Sequence, residues 1–593
     1  MKIAYLDGQR LYRVLYAGIQ NLLDEQDYLN KINVFPVPDG DTGTNMALTM
    51  MGVVEHLQTR SRAALPDLGQ EVAAAALDNA RGNSGVILAQ FFQGLSEGLT
   101  QVKLTTVQFA EAVNSAMRSA YTAMAEPREG TILTVIRRWS EDLSARATHT
   151  RDFSTLLESS LSSAKKALAD TPKMLDVLRE AGVVDAAGHG FVSLLEGISH
   201  FMKDGNLRSL PRIAHEEHDL PADRPNSSEI NLSFPYCTEC FVSGQNLDRE
   251  ALSTHLRQYG DSLIVAGTKH RAKIHIHTDR PREMFESLEP WGTVSGQKID
   301  DMRVQYKSTS DRKRIALVID STCDLPPEIL EAHHIHMVPV RINFGTDEYI
   351  DKVTLSEEEF YQKLETDPRH PKTSQPPPGD FRRMYQFLAS HYDGIISLHV
   401  PANSSGTLQN AEKTLAKIKV DKSRIIDSLS LSVGIGFSAL EMVSAIEAGA
   451  SFEEVVAIGE ATVEQTKLWI GLETLDAAIK GGRVSVSKKR LLDLLHLSPI
   501  LTMSREGRIA VDGISLGKAQ DMKGFEKYIL KKVRDKRIKR FGVAHADNLV
   551  VAQRIHDRLA KHFPEAEHYM TGVCPALGVH GGRGVIGIAV QYL

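Results

Sequence analysis

The strongest constraint on the fold is a change in hydrophobic periodicity along the chain. Up to about residue 203, apolar residues recur at three- and four-residue spacing, as in VQFAEAVNSAMRSAYTAMAE and TLLESSLSSAKKALAD. From about Arg314, short β-rich runs such as IALVID and GIISLHV alternate with helical segments. The first pattern predicts an all-α domain, and the second predicts an α/β fold with a mostly parallel sheet.

Two shorter stretches separate these regions. The first is rich in Pro, Asp, Glu and Ser, which is typical of a linker. The second contains the strand-like runs SLIVAG and AKIHIHT beside helical stretches. A chain of 593 residues is too long for one hydrophobic core. We therefore predict a multidomain protein with a helical domain over residues 1–203, a linker over 204–233, a small α/β middle domain over 234–310 and a two-lobed α/β domain over 311–593.

Charge and cysteine content exclude several classes of protein. The formal net charge of -6 offers no support for a basic, nucleic-acid-binding surface. No apolar run approaches the roughly 18 to 20 residues that span a bilayer, and the N-terminus lacks the apolar core of a signal peptide. The four cysteines are too few for a disulfide scaffold. We expect a cytoplasmic protein with no transmembrane segment and no nucleic acid partner.

A short acidic loop is the first candidate site. Asp39 and Asp41 flank a single glycine between two nearby prolines and the helix-like run MALTMMGVVEHL. Mg²⁺ prefers oxygen ligands, and nucleotide enzymes hold it with one or two carboxylates together with phosphate oxygens. The alternative interpretation is an acidic turn that caps a helix, because Asp is a common N-cap residue. Taken alone, the loop is compatible with both interpretations.

Three further glycine-containing turns lie at predicted helix junctions. They are ARGNSG at residues 80–85, PREGT at 127–131 and DAAGHG at 185–190. The small residues of the first turn leave backbone N–H groups at a helix N-terminus available to an anion such as a phosphate. This half of the sequence contains no Walker A motif. Each turn is weak evidence by itself.

The order of these motifs is more specific than any one of them. NVFPVPDGDTGTNM, ARGNSGVILAQFFQG, EGTILTV and GVVDAAGHGF together resemble the DhaL-type ATP-binding domain of the A component of fatty acid kinases and, more distantly, dihydroxyacetone kinases. The resemblance implies a barrel of antiparallel helices that binds ATP. It implies Mg²⁺ on Asp39 and Asp41, and it implies nucleotide contacts from Thr44, Asn45, Gly82, Asn83, Ser84 and Gly130. Asn33 is the polar residue nearest to the position where dihydroxyacetone kinases supply another aspartate.

A cysteine and histidine constellation lies in the middle domain. Residues two apart on a strand face the same way, so His275 and His277 can reach one metal ion, and thiolate with imidazole suits Zn²⁺. A CxxC redox pair and a half-exposed strand face are the alternatives. The runs YCTEC and KIHIHTD resemble the central domain of the same A component. This resemblance implies zinc on Cys237, His275 and His277, with Cys240 as an extra ligand or an incidental residue.

Hydroxyl-rich loops follow strands in the C-terminal region, where α/β folds usually bind small ligands. They are DSTCDL at residues 320–325, KTSQP at 372–376 and NSSGT at 403–407, and GGR and GVHGGRG follow later in the chain. For any one loop, local capping of the backbone by Ser or Thr is the alternative interpretation.

These loops, in this order, resemble the DegV family, the fatty-acid-binding B component of the same kinase. The resemblance implies an acyl chain held between two lobes and a carboxylate site built from Thr373, Ser374, Ser405, Arg483 and His580. Arg483 and His580 are also the predicted catalytic residues of this half, beside Asp39 and Asp41 of the first. Arg583 stands where the family usually has a proline and is a candidate phosphate contact.

The two resemblances together predict a fatty acid kinase. A carboxylate is already ionised at neutral pH, so its phosphorylation requires positioning and charge neutralisation rather than a strong base. We expect ATP and Mg²⁺ as cofactors, Zn²⁺ as a further candidate, and a fatty acid as the acceptor, with acyl phosphate serving phospholipid synthesis. A homodimer and a downstream acyltransferase are the expected partners. The alternatives are a non-enzymatic fatty acid carrier or sensor with a regulatory nucleotide site, and a dihydroxyacetone-type small-molecule kinase.

Overall fold

The computed structural model describes residues 3–57, 63–204, 233–303, 314–418, 420–474, 477, 497–516 and 521–593. The chain divides into two compact units, Met1–Thr309 and Ser310–Leu593. Most of the predicted linker lies outside the described residues. Among the described residues, no helix combines the length and the apolar character that crossing a membrane requires.

The first part of unit 1 is helical, as its periodicity predicts. Good caps define several helix starts: Asp7 accepts a backbone bond from Arg10, and Thr105 forms a capping box with Gln108. The helices are α1 (Gly8–Asp24), α2 (Gln26–Lys31), α3 (Thr42–Leu57), α4 (Leu65–Asn79), α5 (Gly82–Gly98), α6 (Thr106–Ala123), α7 (Ile132–Ala147), α8 (Phe153–Ala169), α9 (Asp176–Ala181) and α10 (Ala186–Asp204). A 3₁₀ turn at Thr171–Lys173 and a two-stranded ribbon of β1 (Leu6–Asp7) and β2 (Lys103–Leu104) complete this domain.

Aromatic side chains fill the centre of the helical domain. Phe91, Trp139 and Phe191 come from α5, α7 and α10, and their ring centroids lie between 5.4 and 6.4 Å apart. A cavity of about 60 Å³ beside these rings is lined by apolar side chains. These side chains belong to the hydrophobic core of the helical domain.

The middle domain is a four-stranded antiparallel sheet in unit 1, with strand order β4-β5-β3-β6. Its strands are β3 (Tyr236–Ser243), β4 (Gly260–Gly267), β5 (Arg271–Thr278) and β6 (Thr293–Asp301). Its helices are α11 (Arg249–Leu256) and α12 (Pro281–Glu286), with 3₁₀ turns at Arg257–Tyr259 and Glu289–Trp291.

The two faces of this sheet have different partners, because side chains alternate along a strand. One face packs with α11 and α12 in a separate apolar core that contains Val242 and Ile274. The other face meets the helical domain: Ile264 and Ala266 join its core, and the Gly267 N–H donates to Gln90 Oε1 of α5 at 2.9 Å. The helical and middle domains are thus packed together within unit 1.

The described part of unit 2 contains three sheets and the helices around them. The strands are β7 (Ile315–Asp320), β8 (His336–Val338), β9 (Arg341–Phe344), β10 (Asp347–Ile350), β11 (Lys372–Ser374), β12 (Gly394–His399), β13 (Lys422–Asp427), β14 (Thr466–Gly471), β15 (Leu497–Met503), β16 (Ile509–Leu516), β17 (Ile538–His545), β18 (Glu567–Gly572) and β19 (Ile586–Tyr592). The helices are α13 (Pro327–Ala332), α14 (Glu357–Thr366), α15 (Pro378–His391), α16 (Thr407–Leu415), α17 (Val433–Glu447), α18 (Phe452–Gln465), α19 (Lys523–Val533), α20 (Leu549–His562) and α21 (Pro575–Gly581).

The sheets of unit 2 differ in strand direction. The order β13-β12-β7-β8 is parallel throughout, as predicted for alternating strands and helices. The order β16-β15-β14-β19-β17-β18 is antiparallel except at β17-β18, and β10-β9-β11 is antiparallel. The prediction of a mostly parallel sheet was therefore wrong for these two sheets. Short connections such as the loop between β15 and β16 permit only antiparallel pairing.

Candidate functional site

The paired carboxylates lie in the loop that leads into α3. The Asn33 side-chain amide donates to Asp39 Oδ1 at 2.6 Å, and the Asn45 side chain hydrogen-bonds to Asp41. Burial and the neighbouring Asp41 carboxylate raise the pKa of Asp39 well above its usual range. Burial also raises the pKa of Asp41, although the Lys298 ammonium partly offsets this effect. A cation bound between these two carboxylates would stabilise the ionised form of both.

The oxygen atoms around this pair fit a hard cation. Within the described part of the chain, the buried Asn33 Oδ1 has no hydrogen-bond partner, and the same holds for Asn83 Oδ1 at the start of α5. Together with Asp39 and Asp41, Asn33 supplies the all-oxygen type of donor set that Mg²⁺ prefers. Buried carbonyl oxygens normally have a partner, so these two atoms are available to a cation or to a hydrogen-bond donor.

The start of α3 is held by side chains as well as by the loop. Thr44 is buried, and its Oγ1 accepts from Asn30 Nδ2 at 2.9 Å while its N–H donates to Asn30 Oδ1 at 3.0 Å. This pairing gives Thr44 a structural partner in addition to its predicted phosphate role. Gly82 has φ of +57°, and a Cβ there would meet Asn45 Nδ2 at 2.3 Å. Glycine is therefore required for α3 and α5 to meet at this point, where Ser84 is also buried.

The remaining predicted nucleotide turn lies near the same loop. Arg128 extends over the Phe35 ring at 5.9 Å, which connects the 127–131 turn to the segment before Asp39. Gly130 has φ of +85°, and its N–H donates to Thr134 Oγ1 at 2.8 Å. The predicted nucleotide residues thus lie in the first turns of α3 and α5 and in the turn before α7.

Strand register brings the middle-domain residues onto one face of the sheet. Cys237 lies opposite His277 on β5 and Asp300 on β6, and residues opposite one another point to the same side. Glu239 lies opposite His275. This face is the one turned toward the helical domain. In the sequence, only the cysteine and the two histidines are recognisable as a cluster.

The geometry of this cluster fits a metal ion of the zinc type. Cys237, His275 and His277 are buried, and one ligand atom from each lies within 4.8 Å of the others. Burial, with His275 nearby, lowers the pKa of His277 to about 3, so its imidazole is neutral and able to ligate. In the described chain, the buried His275 Nε2 has no hydrogen-bond partner. A cysteine with two histidines is a zinc donor set with a position left open.

Cys240 belongs to the opposite face. It is fully buried in the apolar core with Val242 and Ile274. It lies three positions after Cys237, an odd spacing, so strand alternation points the two thiols in opposite directions. Of the two interpretations of Cys240, the incidental one holds, and the CxxC redox pair is excluded by the same geometry.

Sequence reasoning missed a buried ionic cluster beside these residues. Glu239 is 0% exposed and lies 2.9 Å from Lys273 Nζ and 3.2 Å from Lys298 Nζ. Although burial opposes its ionisation, the two ammonium groups hold the pKa of Glu239 well below its usual range. Lys298 also contacts Asp300 at 2.9 Å. In the sequence, Glu239 lies in the run TEC, and Lys298 and Asp300 lie in the run KID. Their proximity can be recognised only once β3 is paired with β6.

In unit 2, the predicted carboxylate-binding residues come together in part. Thr373 Oγ1 lies 2.9 Å from His580 Nε2, which joins β11 to α21. Ser374 is the exposed next residue of β11. Ser405 Oγ accepts from the N–H of Thr407, the first residue of α16, at 3.2 Å. Asn410 of that helix donates to the Pro376 carbonyl at 3.2 Å, which brings the TSQP and NSSGT loops together.

Two predicted arginines have different outcomes. Arg483 lies outside the described residues. Arg583 forms ion pairs with Glu365 and Asp547, so its guanidinium is already neutralised by protein carboxylates. This pairing weakens the hypothesis that Arg583 contacts phosphate.

A second buried network supports α21, and sequence reasoning missed it too. Asp324 Oδ1 accepts from the Cys574 N–H at 3.2 Å, and Asp351 Oδ1 accepts from the Ala576 N–H at 3.1 Å. Lys352 lies 3.0 Å from Asp324 and compensates its charge. These bonds fix the first turn of the short helix that carries His580.

Comparison with known proteins identifies the parts of the chain. Residues 36–200 match the DAK2 domain, residues 233–309 match the middle domain of the fatty acid kinase A-like type, and residues 314–593 match the DegV family. The chain joins these three domains in one polypeptide. The DAK2 and middle domains are of a kinase-like type and imply nucleotide binding.

Individual relatives cover only part of the chain. An uncharacterized protein of Staphylococcus haemolyticus is 32% identical over 324 residues, which is 53% of this chain and 58% of the relative. Protein YloV of Bacillus subtilis is 34% identical over 319 residues, or 52% of this chain and 57% of the relative. The chain thus spans less than two thirds of the length of these relatives. A solved DegV family protein from Thermus thermophilus, described as fatty acid binding, is 28% identical with a TM-score of 0.44, covering 47% of this chain and all of that one.

Proposed function

We propose that this chain is a fatty acid kinase, which transfers the γ-phosphate of ATP to a bound fatty acid and releases ADP and acyl phosphate. The observation that carries the proposal is the union of a DAK2 domain, a fatty acid kinase A-like middle domain and a DegV domain in one chain. The first two domains account for the donor, and the third accounts for an acyl acceptor. A small-molecule kinase of the dihydroxyacetone type has no use for a DegV domain.

In the proposed reaction, a carboxylate oxygen attacks the γ-phosphorus and the bond to the ADP oxygen breaks. The acceptor is already ionised, so no side chain has to remove a proton. Thr373 and Ser405 would orient the carboxylate, together with His580, and Arg483 would supply positive charge there. The hydrogen bond between Thr373 and His580 supports a shared role for these two side chains.

On the donor side, Asp39 and Asp41 would hold Mg²⁺, which neutralises charge on the phosphates when bound. Asn45 fixes the orientation of Asp41 through its side chain. The turn that begins at Gly82 would approach the phosphates with its backbone, since glycine lets the chain come close. Zn²⁺ on Cys237 and the two histidines would bind these three side chains into one unit.

The direct test is formation of acyl phosphate, trapped as the hydroxamate, from palmitate or oleate with ATP and Mg²⁺. We expect product with the native chain and a loss of at least about 100-fold in Asp41→Asn, since even outer partners of a metal ligand contribute about 10- to 100-fold. Asp27→Asn, an exposed acid on α2, is the matched control and should behave like the native chain.

The alternatives give different results in the same assay. Bound lipid without ATP turnover, for every fatty acid offered, would contradict the kinase and favour a carrier or sensor with a regulatory nucleotide site. Phosphorylation of dihydroxyacetone in place of a fatty acid would favour the small-molecule kinase.

A further inference from the structure

The strongest unassigned feature is a carboxylate of the middle domain that bonds to a nucleotide turn of the DAK2 domain. Glu239 Oε1 accepts from the Gly82 N–H at 2.8 Å. Gly82 opens α5, so Glu239 occupies the position where a helix N-terminus attracts negative charge. Arg81, the residue before it, approaches Glu239 Oε2 at 4.0 Å. The two domains are thus joined at the turn predicted to face the phosphates.

The same carboxylate is connected to the predicted metal sites. Its other neighbours are the Lys273 and Lys298 ammonium groups, which are 1% and 3% exposed, and His275 Nδ1 at 3.5 Å. Lys298 acts electrostatically on Asp41 and contacts Asp300. A buried charge with several buried partners cannot move without exposing an uncompensated charge. Glu239 is therefore held in place from both domains.

We propose that Glu239 is a positioning residue of the nucleotide site, which holds the Gly82 turn and the Lys298 ammonium in place beside the Asp39 and Asp41 pair. This inference rests on the proposed function, because it assigns the turn to nucleotide phosphates. The nucleotide site would then be built from residues of two domains. The DAK2 domain supplies the carboxylates and backbone, and the middle domain fixes their geometry.

The decisive variant is Glu239→Asp in the full chain. It keeps the negative charge between the two lysines but shortens the side chain by one methylene, so the bond to Gly82 is lost. Mg²⁺-ADP affinity is measured by calorimetry, and fatty acid affinity is measured beside it with a fluorescent fatty acid. We expect nucleotide affinity to fall about 10-fold or more, with fatty acid affinity unchanged.

Asp78→Asn is the matched control. Asp78 of α4 pairs with Arg271 of β5, so it also joins the two domains, but both side chains are about half exposed. Its nucleotide affinity should stay within about twofold of native, since an exposed pair contributes little. Should Glu239→Asp fail to fold, Lys298→Met removes the one of its two ammonium partners that acts on Asp41 and carries the same expectation.

The outcomes separate this inference from the proposed function. Native nucleotide affinity in a folded Glu239→Asp overturns the positioning role, whether or not acyl phosphate forms. Weakened nucleotide binding in that variant supports the role even when the native chain makes no acyl phosphate, which overturns only the kinase. A native chain that binds no Mg²⁺-ADP overturns both. An equal loss in Asp78→Asn overturns the positioning role, because any domain contact would then produce it.

Discussion

At the scale of residues, unit 1 buries acidic side chains beside helix N-termini, and the pKa of each depends on its partners. Glu239 has two ammonium groups within hydrogen-bonding distance and stays ionised. Among the described residues, the partners of the Asp185 carboxylate are backbone groups: it accepts from the N–H groups of Gly188, at 2.7 Å, and Ile132. Burial raises the pKa of Asp185 to about 7 because these bonds offset only part of the desolvation.

This difference predicts a pH dependence of stability. The folded pKa of Asp185 lies above its unfolded value, so the folded state binds more protons, and stability falls as pH rises from about 4 to about 7. Asp185→Asn cannot ionise, so we expect its free energy of unfolding relative to native to be roughly 2–3 kcal/mol larger near pH 8.5 than near pH 5. Thermal unfolding at both pH values measures the difference. Asp176→Asn, at an exposed acid of α9, is the control; native and Asp185→Asn curves that run parallel with pH would contradict the prediction.

At the scale of elements, periodicity predicted which segments form helices and which form strands, but it did not predict how the strands pair. The helices of the first domain follow from three- and four-residue spacing, and those predictions are confirmed. Two sheets of unit 2 are wholly or largely antiparallel, because short connections such as the loop between β15 and β16 impose antiparallel pairing, which the composition of the strands does not reveal. The same limit applies to the site, since local sequence identified Cys237 and the histidines but not their neighbours on β6.

Sequence analysis could not predict the residues whose contacts are far apart along the chain. Glu239 and Gly82 are 157 positions apart and meet only because the middle sheet packs on α5. Asp351 and Ala576 are likewise separated by 225 positions. No spacing rule connects such pairs. The predicted roles of the nucleotide and carboxylate residues remain predictions.

Strand alternation in β3 makes a specific prediction about the metal. Cys237 faces the histidines and Cys240 faces the apolar core, so only the first thiol can ligate. We expect Cys237→Ala to lose most of its zinc and Cys240→Ala to retain about one ion per chain. Elemental analysis of the purified variants measures both. Loss of zinc from Cys240→Ala alone would mean that β3 pairs in another register.

At the scale of the whole molecule, the significance of the chain is that the DAK2, middle and DegV domains share one polypeptide. Covalent joining sets an effective concentration of one domain near the other, which does not change when the protein is diluted. Separate proteins would instead meet by collision, and their rate would fall with concentration. The kinase proposal therefore has a consequence that depends on the covalent connection and not on any single residue.

Mixing two inactive chains tests this consequence. Asp41→Asn keeps the acyl site, and His580→Ala keeps the nucleotide site, so an equimolar mixture contains one intact copy of each on different chains. We expect the native rate of acyl phosphate formation per chain to stay constant over about a hundredfold dilution, because its two sites are tethered. The rate of the mixture should be lower and should fall steeply on dilution, since it requires an encounter between chains. A mixture whose rate per chain stays at a constant fraction of the native rate over the whole dilution range would contradict transfer within one chain and would indicate a stable dimer that exchanges substrates between its members.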